Sequence, residues 1–128
     1  MIRKAERRDL PRIIEMSFMD NEKSGYSLEW NADTVEVQLR NLMLAKSGYL
    51  SVWDQGGVIG AVGGPIVTWP YNMDTLVIQE YITVGEHIDE LKEDFFVWGI
   101  KNGAKAVIRL CVDESSGPRT VVFGGTNA

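Results

Sequence analysis

The reactive side chains that most often do chemistry are scarce in this sequence. His87 is the only histidine and Cys111 the only cysteine. One of each is too few for a protein metal cluster, so the sequence predicts no metal site. The imidazole pKa suits proton transfer, which makes His87 a candidate acid or base, although a histidine in a surface turn would look the same. Cys111 stands between Leu110 and Val112 in an apolar run, and we expect a buried structural thiol rather than a nucleophile.

A second chemical feature is the acidic segment GEHIDELKED at 85–94, which holds five carboxylates and one glycine. Carboxylates are favourable in the first turns of a helix, where the helix dipole is positive, so the segment predicts a helix start. The same carboxylates would repel a bound phosphate. A further interpretation is that residues 86–94 mimic phosphates in an acidic inhibitor.

Composition predicts one soluble domain over residues 1–128. The chain is 45% apolar and carries a formal net charge of -5, which argues against a nucleic-acid binder. No apolar run reaches the length of about 18 residues that a membrane helix needs. The start MIRKAERRDL has basic residues but no apolar region after them, so we expect no signal peptide. The basic cluster in 3–12 is interpreted as a solvated helix face, and the lone cysteine fits a reducing, cytoplasmic location.

Periodicity predicts alternating strands and helices. Two turn signals, Gln55–Gly57 and Gly63–Pro65, predict a hairpin and a bulge or bend in its second strand. Asp9 is expected to cap the first helix and Asp33 or Thr34 the second. The predicted elements are a strand at 1–6, a helix at 10–19, a helix from 33 or 34 that ends before Gly48, strands at 49–54, 58–69 and 75–84, a helix from about 89 to 102, a strand at 104–112 and a short helix at 116–125.

The predicted order is therefore β-α-α-β-β-β-α-β-α, a mixed, mostly antiparallel sheet with helices on both faces. The strand at 75–84 is expected to place Leu76, Ile78, Glu80 and Ile82 on one face. In the following helix Leu91, Phe95 and Trp98 form an apolar stripe.

This order resembles the Gcn5-related N-acetyltransferases, the GNAT superfamily. MIRKAERRDLPRIIEM is similar to the opening strand and helix of the family, GYLSVWDQGGVIGAVGG to its second and third strands, and EYITV to its fourth. FFVWGIKNGAKAVIRLCV is similar to the end of the third helix with the fifth strand, and DESSGPRTVVFGG to the fourth helix. The resemblance covers nearly the whole chain.

The resemblance implies acetyl-CoA as cofactor and a small-molecule or protein amine as acceptor. It implies that Glu80 is the general base and that the backbone of Ile82, Thr83 and Val84 pairs with the pantetheine arm. The family's acceptor pocket lies between loops that would here contain the aromatic residues, so they are candidates for a substrate or partner surface or for lids over the core: Tyr26, Trp30, Trp69 and Tyr71.

The chain departs from the family pattern in three places. The glycine-rich turn that holds the pyrophosphate is missing between Val84 and the helix. No tyrosine follows Tyr81 to protonate the leaving thiolate, and Phe123 has no proton to give. The strands after the fourth helix are expected to be missing, which would leave the edge of 104–112 open to a second copy or a protein partner.

These departures leave two functions open. The first is acetyl-CoA-dependent transfer of an acetyl group to an amine. The second is a catalytically inactive GNAT-fold binding or structural protein. Small proteins of this kind resemble those of bacteriophages, which implies a virion or a host cytoplasm as the location.

Overall fold

The computed structural model describes residues 1–24, 30–113 and 120–127, and it describes side chains through Ile108 except at Lys23 and Ser24. Tyr26 lies outside the described residues. The helices are α1 (Leu10–Ser24), α2 (Ala32–Leu44) and α3 (Ile88–Lys101), with a 3-10 turn (Arg7–Asp9) before α1. The strands are β1 (Ile2–Lys4), β2 (Gly48–Asp54), β3 (Val58–Trp69), β4 (Asn72–Glu80), β5 (Ile82–Gly85), β6 (Ala104–Asp113) and β7 (Thr120–Asn127).

One mixed sheet organises the fold. Its strands lie in the order β1-β2-β3-β4-β6-β7, and β5 pairs with β3 beyond the end of β4. Every pairing is antiparallel except that of β4 with β6, which is parallel and is connected through α3. The predicted class, a mostly antiparallel sheet with helices on both faces, is confirmed. No helix within the described ranges is long and apolar enough to cross a bilayer.

The sheet buries a separate apolar cluster on each face. The α1 and α2 side packs Ile13 and Leu39 against Val52 and Ala61 of the sheet. The α3 side packs Leu91 and Phe95 against Ile78. The stripe predicted on α3 therefore faces the sheet, and Tyr49 reinforces it by donating its hydroxyl to Asp94 over 2.7 Å. Burial and this hydrogen bond raise the pKa of Tyr49.

The end of the chain differs from the predicted one. Residues 120–127 form strand β7 rather than part of a helix, paired with β6 from Ala106↔Asn127 to Asp113↔Thr120. The β-branched run Thr120–Val122 favours a strand, and the glycines at 124–125 lie opposite β6 instead of ending a helix. The expectation that no strand follows is thus wrong. Because β7 pairs with β6 from Ala106 to Asp113, the edge that missing C-terminal strands would have left open is covered, so that prediction is wrong as well and a partner docked on this edge loses its structural basis.

The helix caps also differ from the predicted ones. Asn31 caps α2 by accepting the Thr34 amide over 2.9 Å, so neither Asp33 nor Thr34 is the cap. His87 is the residue before α3. Asp9 ends the 3-10 turn, and its carboxylate reaches back to the Glu6 amide over 2.7 Å. In two of these cases the side chain accepts from a backbone amide three residues away: Asn31 from Thr34, and Asp9 from Glu6.

Arg3 joins the first strand to the first helix. Its guanidinium donates to both carboxylate oxygens of the buried Asp9, over 2.7 and 3.0 Å, and to Asp54 over 3.0 Å. These hydrogen bonds raise the pKa of Arg3 and lower that of Asp9. Arg8 and Arg12 pair with Glu6 and Glu15. Three of the basic residues in 3–12 are therefore tied to neighbouring carboxylates.

Replacing Asp9 with Asn should lower the free energy of unfolding by about 2 kcal/mol at pH 7, since charged hydrogen bonds to Arg3 are lost. The lowered pKa of Asp9 means that its stabilisation is complete above the unfolded pKa of about 3.9 and is lost as pH falls through the folded value. Urea unfolding at pH 7 and below pH 3 measures both. The exposed Asp74→Asn is the control, and an equal loss at both pH values would contradict this account.

Candidate functional site

The strand predicted at 75–84 is broken at Tyr81. Two consecutive residues face Gly63 of β3 there: Ile82 by register, and Tyr81 through its amide, which donates to the Gly63 carbonyl over 2.9 Å. Two residues opposite one define a β-bulge, and a bulge bends its strand and shifts the alternation by one. The shift is visible in the core, since Ile78 packs on the α3 side and Ile82 on the α1 and α2 side. The single face predicted for Ile78, Glu80 and Ile82 is therefore wrong.

The glycines of β3 make room for the bulge. A Cβ at Gly64 would lie 1.8 Å from the carbonyl oxygen of Gln79 and 3.0 Å from the Tyr81 nitrogen. A Cβ at Gly63 would lie 2.4 Å from the carbonyl oxygen of Tyr49. The sequence predicts the irregularity within β3, at these glycines, whereas the extra residue of the bulge is Tyr81, on the strand opposite them. Only a glycine lets β3 pass so close to both neighbours.

The bulge opens a slot in the sheet. β4 and β6 run parallel in register only as far as Glu80↔Arg109. Beyond that point β5 pairs with β3 and the end of β6 pairs with β7. Among the described strands, the facing edges of β5 and residues 110–113 are therefore not paired with each other. Such edges offer backbone donors and acceptors to an extended ligand.

Glu80 lies at the point where the strands separate. Its side chain is 11% exposed, its carboxylate accepts a hydrogen bond from the Thr83 hydroxyl, and Lys92 Nζ of α3 lies 3.8 Å from Oε1. The one-residue shift places Glu80 and Thr83, three apart, on the same face. A carboxylate held between a hydroxyl and an ammonium has a fixed direction and can accept a proton. Sequence reasoning missed Lys92, because nothing local in the sequence pairs α3 with this strand.

The other predicted site residues lie elsewhere. The side chains of Ile82 and Val84 are buried against α1 and α2. Trp30 packs on the same cluster and donates its indole N–H to Ser17 over 3.1 Å, which makes it a lid over the core. Trp69 and Tyr71 contact each other at the β3–β4 turn, with ring centroids 5.5 Å apart.

Trp69 and Tyr71 are remote from Glu80. Tyr71 is nine positions before Glu80 along an extended strand, roughly 30 Å at about 3.4 Å per residue. Trp69 and Tyr71 therefore do not belong to one surface with Glu80. Tyr71 is 86% exposed, and the partner surface predicted for this pair stays a prediction.

The start of α3 is built differently from an anion site. The Glu86 amide donates to the Ile59 carbonyl over 2.8 Å, so it is already used within the sheet. A Cβ at Gly60 would lie 2.1 Å from the Glu86 carbonyl oxygen, which shows how closely this peptide is pressed onto β3. Gly85 has φ 86°, and a Cβ there would lie 2.2 Å from the Ile59 carbonyl oxygen, so this glycine serves the same close approach.

His87 is the residue that precedes α3, and its backbone conformation and contacts are well defined. It adopts the left-handed conformation, with φ 58°, and its ring stacks on Trp53 at 3.8 Å between centroids. Its Nδ1 lies 3.1 Å from the Glu90 carboxylate. His87 is thus the turn histidine that the sequence allowed. Within the described residues, no three His, Cys, Asp or Glu side chains are grouped to hold a metal ion.

Comparison with solved structures identifies the fold. A ribosomal-protein-alanine N-acetyltransferase from Brucella melitensis matches with a TM-score of 0.72 and 12% identity, over 100% of this chain and 99% of that one. A predicted acetyltransferase from Clostridium acetobutylicum, solved with acetyl-CoA, matches with a TM-score of 0.73 and 8% identity, over 87% and 80%.

A GNAT-family acetyltransferase from Streptococcus pneumoniae matches with a TM-score of 0.58 and 12% identity, over 89% of this chain and 75% of that one. No family model and no curated protein sequence matches the chain. The chain therefore has the fold of the GNAT acetyltransferases, and at these identities the likeness establishes the fold alone.

Acetyl-CoA, with which the Clostridium acetobutylicum structure was solved, fits the described residues of this chain in one part and not in the other. The unpaired edges beside Glu80 fit the extended pantetheine arm with its amide groups. The start of α3 does not fit the diphosphate, because the Glu86 amide is bonded to Ile59 and the exposed Asp89 and Glu90 stand in the first turn. Lost hydrogen bonds and like charge both act against a phosphate there.

Replacing Gly64 with Ala should lower the free energy of unfolding by about 3 kcal/mol, because the new methyl group overlaps the Gln79 carbonyl and forces the bulge apart. The Gly56→Ala variant is the control: nothing lies within 4 Å of its Cβ, so it carries only the cost of a left-handed backbone, about 1 kcal/mol. Urea unfolding compares the two, and equal losses would mean that the close approach at Gly64 does not exist.

Proposed function

We propose that this chain is a GNAT-fold N-acetyltransferase that uses an acetyl thioester of pantetheine and an amine acceptor, with Glu80 as the base. The observation that carries the proposal is the bulge at Tyr81, which opens the slot and leaves Glu80 at its inner end. The neighbouring structures support it at the level of the fold.

The slot binds the arm through the backbone of β5. Hydrogen-bonded pairs alternate with non-bonded pairs along an antiparallel ladder. The Glu86 amide bonds to Ile59, so the pairs Val84↔Ala61 and Ile82↔Gly63 are also bonded and Thr83↔Val62 is not. The N–H and C=O of Thr83 then point away from β3, into the slot. Of the three residues expected to hold the arm, Thr83 is the one whose backbone groups are directed there.

Glu80 removes the proton that the reaction releases. When bound, a pantetheine thioester supplies an acyl carbon that a neutral amine attacks, with the C–N bond forming as the C–S bond breaks and the sulfur leaving as a thiolate. Glu80 accepts the proton from the amine nitrogen. Thr83 and Lys92 keep the carboxylate in one orientation, and they are positioning residues.

A second candidate function is a binding or structural protein without catalysis. The start of α3 favours it, because the peptide that should hold the diphosphate is part of the sheet. The resemblance to bacteriophage proteins suggests a virion or host protein as partner. The two candidates differ in measurable properties, since only the first requires that pantetheine binds in the slot and that an acetyl group is transferred to an amine.

Replacing Glu80 with Gln tests the first candidate. Gln keeps the size and can accept from Thr83 but cannot take a proton, so kcat for acetyl transfer to the best amine of a panel should fall about 100-fold. Pantetheine binding and the unfolding midpoint should change little.

Glu36→Gln on α2 is the matched control, with the same chemical change on a helix that does not line the slot. A Glu80→Gln enzyme that keeps a third or more of its kcat would remove Glu80 from the role of base. No transfer to any amine, with pantetheine bound, would favour the second candidate.

A further inference from the structure

The site differs in how it fits the two ends of CoA, and this difference points to an unusual preference among acetyl donors. The slot offers backbone groups to the pantetheine arm. At the start of α3, where the GNAT fold would put the diphosphate, the Glu86 amide is bonded within the sheet and Asp89 and Glu90 stand in the first turn. We propose that the site recognises the acyl-pantetheine arm alone and gains no affinity from the nucleotide. The inference rests on the proposed function for the slot and concerns which donors the slot accepts.

The first observation is that the turn before α3 already uses a backbone amide, that of Glu86, within the sheet. An anion cradle needs backbone amides that point outward. Here the Glu86 amide points at Ile59, and the peptide is packed so tightly on Gly60 that it cannot turn without leaving β3. Glu86 and Ile59 form the last link of the ladder that also positions Thr83. Freeing this amide for a phosphate would therefore undo the slot beside it.

The second observation is the aromatic contact at His87. Its ring stacks on Trp53 with an interplanar angle of 7°, and it shares a hydrogen bond with Glu90. This contact fixes the last residue before the helix to strand β2. The position before α3, where a glycine would let a phosphate approach the backbone, is therefore occupied by His87, which Trp53 and Glu90 hold in place.

The third observation is charge. Glu86, Asp89 and Glu90 are exposed at this end of α3. Lys92 is the cation nearest in sequence, and it lies against Glu80. Arg12 lines a cavity with Gly85 and Glu86, but its guanidinium is already bonded to Glu15 and to the Val58 carbonyl. The diphosphate of CoA would meet carboxylates on the helix, and their repulsion opposes what the helix dipole contributes.

The slot has the right extent for the arm. β5 has four residues, which span roughly 13 Å at about 3.3 Å per residue. That length accommodates an extended chain with two amide groups, which can pair with Thr83 and with the facing edge of β6. Recognition of this kind depends on hydrogen bonds and shape, so it should be nearly independent of salt.

Calorimetric titration of the full chain with pantetheine, CoA and adenosine 3′,5′-bisphosphate tests the inference. We expect CoA and pantetheine to bind with dissociation constants within about threefold of each other, and the bisphosphate not to bind. Higher salt should strengthen CoA binding slightly and leave pantetheine unchanged, because it screens the repulsion.

A charge variant sharpens the test. Asp89→Asn should tighten CoA binding two- to fivefold and leave pantetheine binding unchanged. Asp33→Asn is the matched control, since Asp33 is likewise an acidic residue in the first turn of a helix, α2, remote from the slot. This variant should alter neither ligand.

The outcomes separate the two proposals. CoA binding tenfold or more tighter than pantetheine would overturn the donor inference and leave the transferase proposal standing. Binding of neither ligand at millimolar concentration would overturn both. Similar binding of the two ligands, with no acetyl transfer, would support the inference for the slot and overturn catalysis.

Discussion

The hydrogen bond from the Tyr81 amide to the Gly63 carbonyl is the interaction on which the rest of the site depends. It inserts one extra residue into the strand opposite β3. That single insertion ends the pairing of β4 with β6, reverses the faces of Ile82 and Val84, and brings Thr83 beside Glu80. The close passage of Gly64 past Gln79 makes the insertion possible. Removing this bulge would leave a continuous sheet without a slot.

The two apolar clusters explain why the bulge is stable. After the bulge, Ile82 and Val84 bury their side chains against α1 and α2, while Ile78 before it is buried against α3. Without the one-residue shift, Ile82 and Val84 would face the α3 side, and Glu80 and Thr83 would not share a face. Hydrophobic burial on both faces therefore selects the conformation that separates the strands, and the polar pair occupies the place where separation begins.

The sequence predicts the parts of the fold that local pattern controls. The apolar stripe of α3, the hairpin of β2 and β3 and the strand at 104–112 all follow from periodicity and turn residues. The break at Tyr81 does not follow from local pattern, because EYITV continues the alternation. The one-residue shift appears only in the pairing with β3. The sequence predicts a helix at 116–125 because Ser116, Pro118 and the glycines at 124–125 are typical of a short helix, whereas pairing with β6 makes residues 120–127 a strand. The sequence predicts that the glycine-rich turn is absent, but it does not reveal that the Glu86 amide is bonded within the sheet.

The register of β5 directs the Thr83 amide away from β3, whereas the Glu86 amide is hydrogen-bonded to Ile59 of β3. Residue-resolved amide hydrogen exchange by NMR, without ligand and with saturating CoA, tests this most directly. The account predicts that the Glu86 amide is protected as strongly as the interior of β3 in both states, and that the Thr83 amide exchanges freely until CoA is added and then becomes protected. A Glu86 amide that exchanges freely and becomes protected by CoA, with Thr83 unaffected, would contradict it.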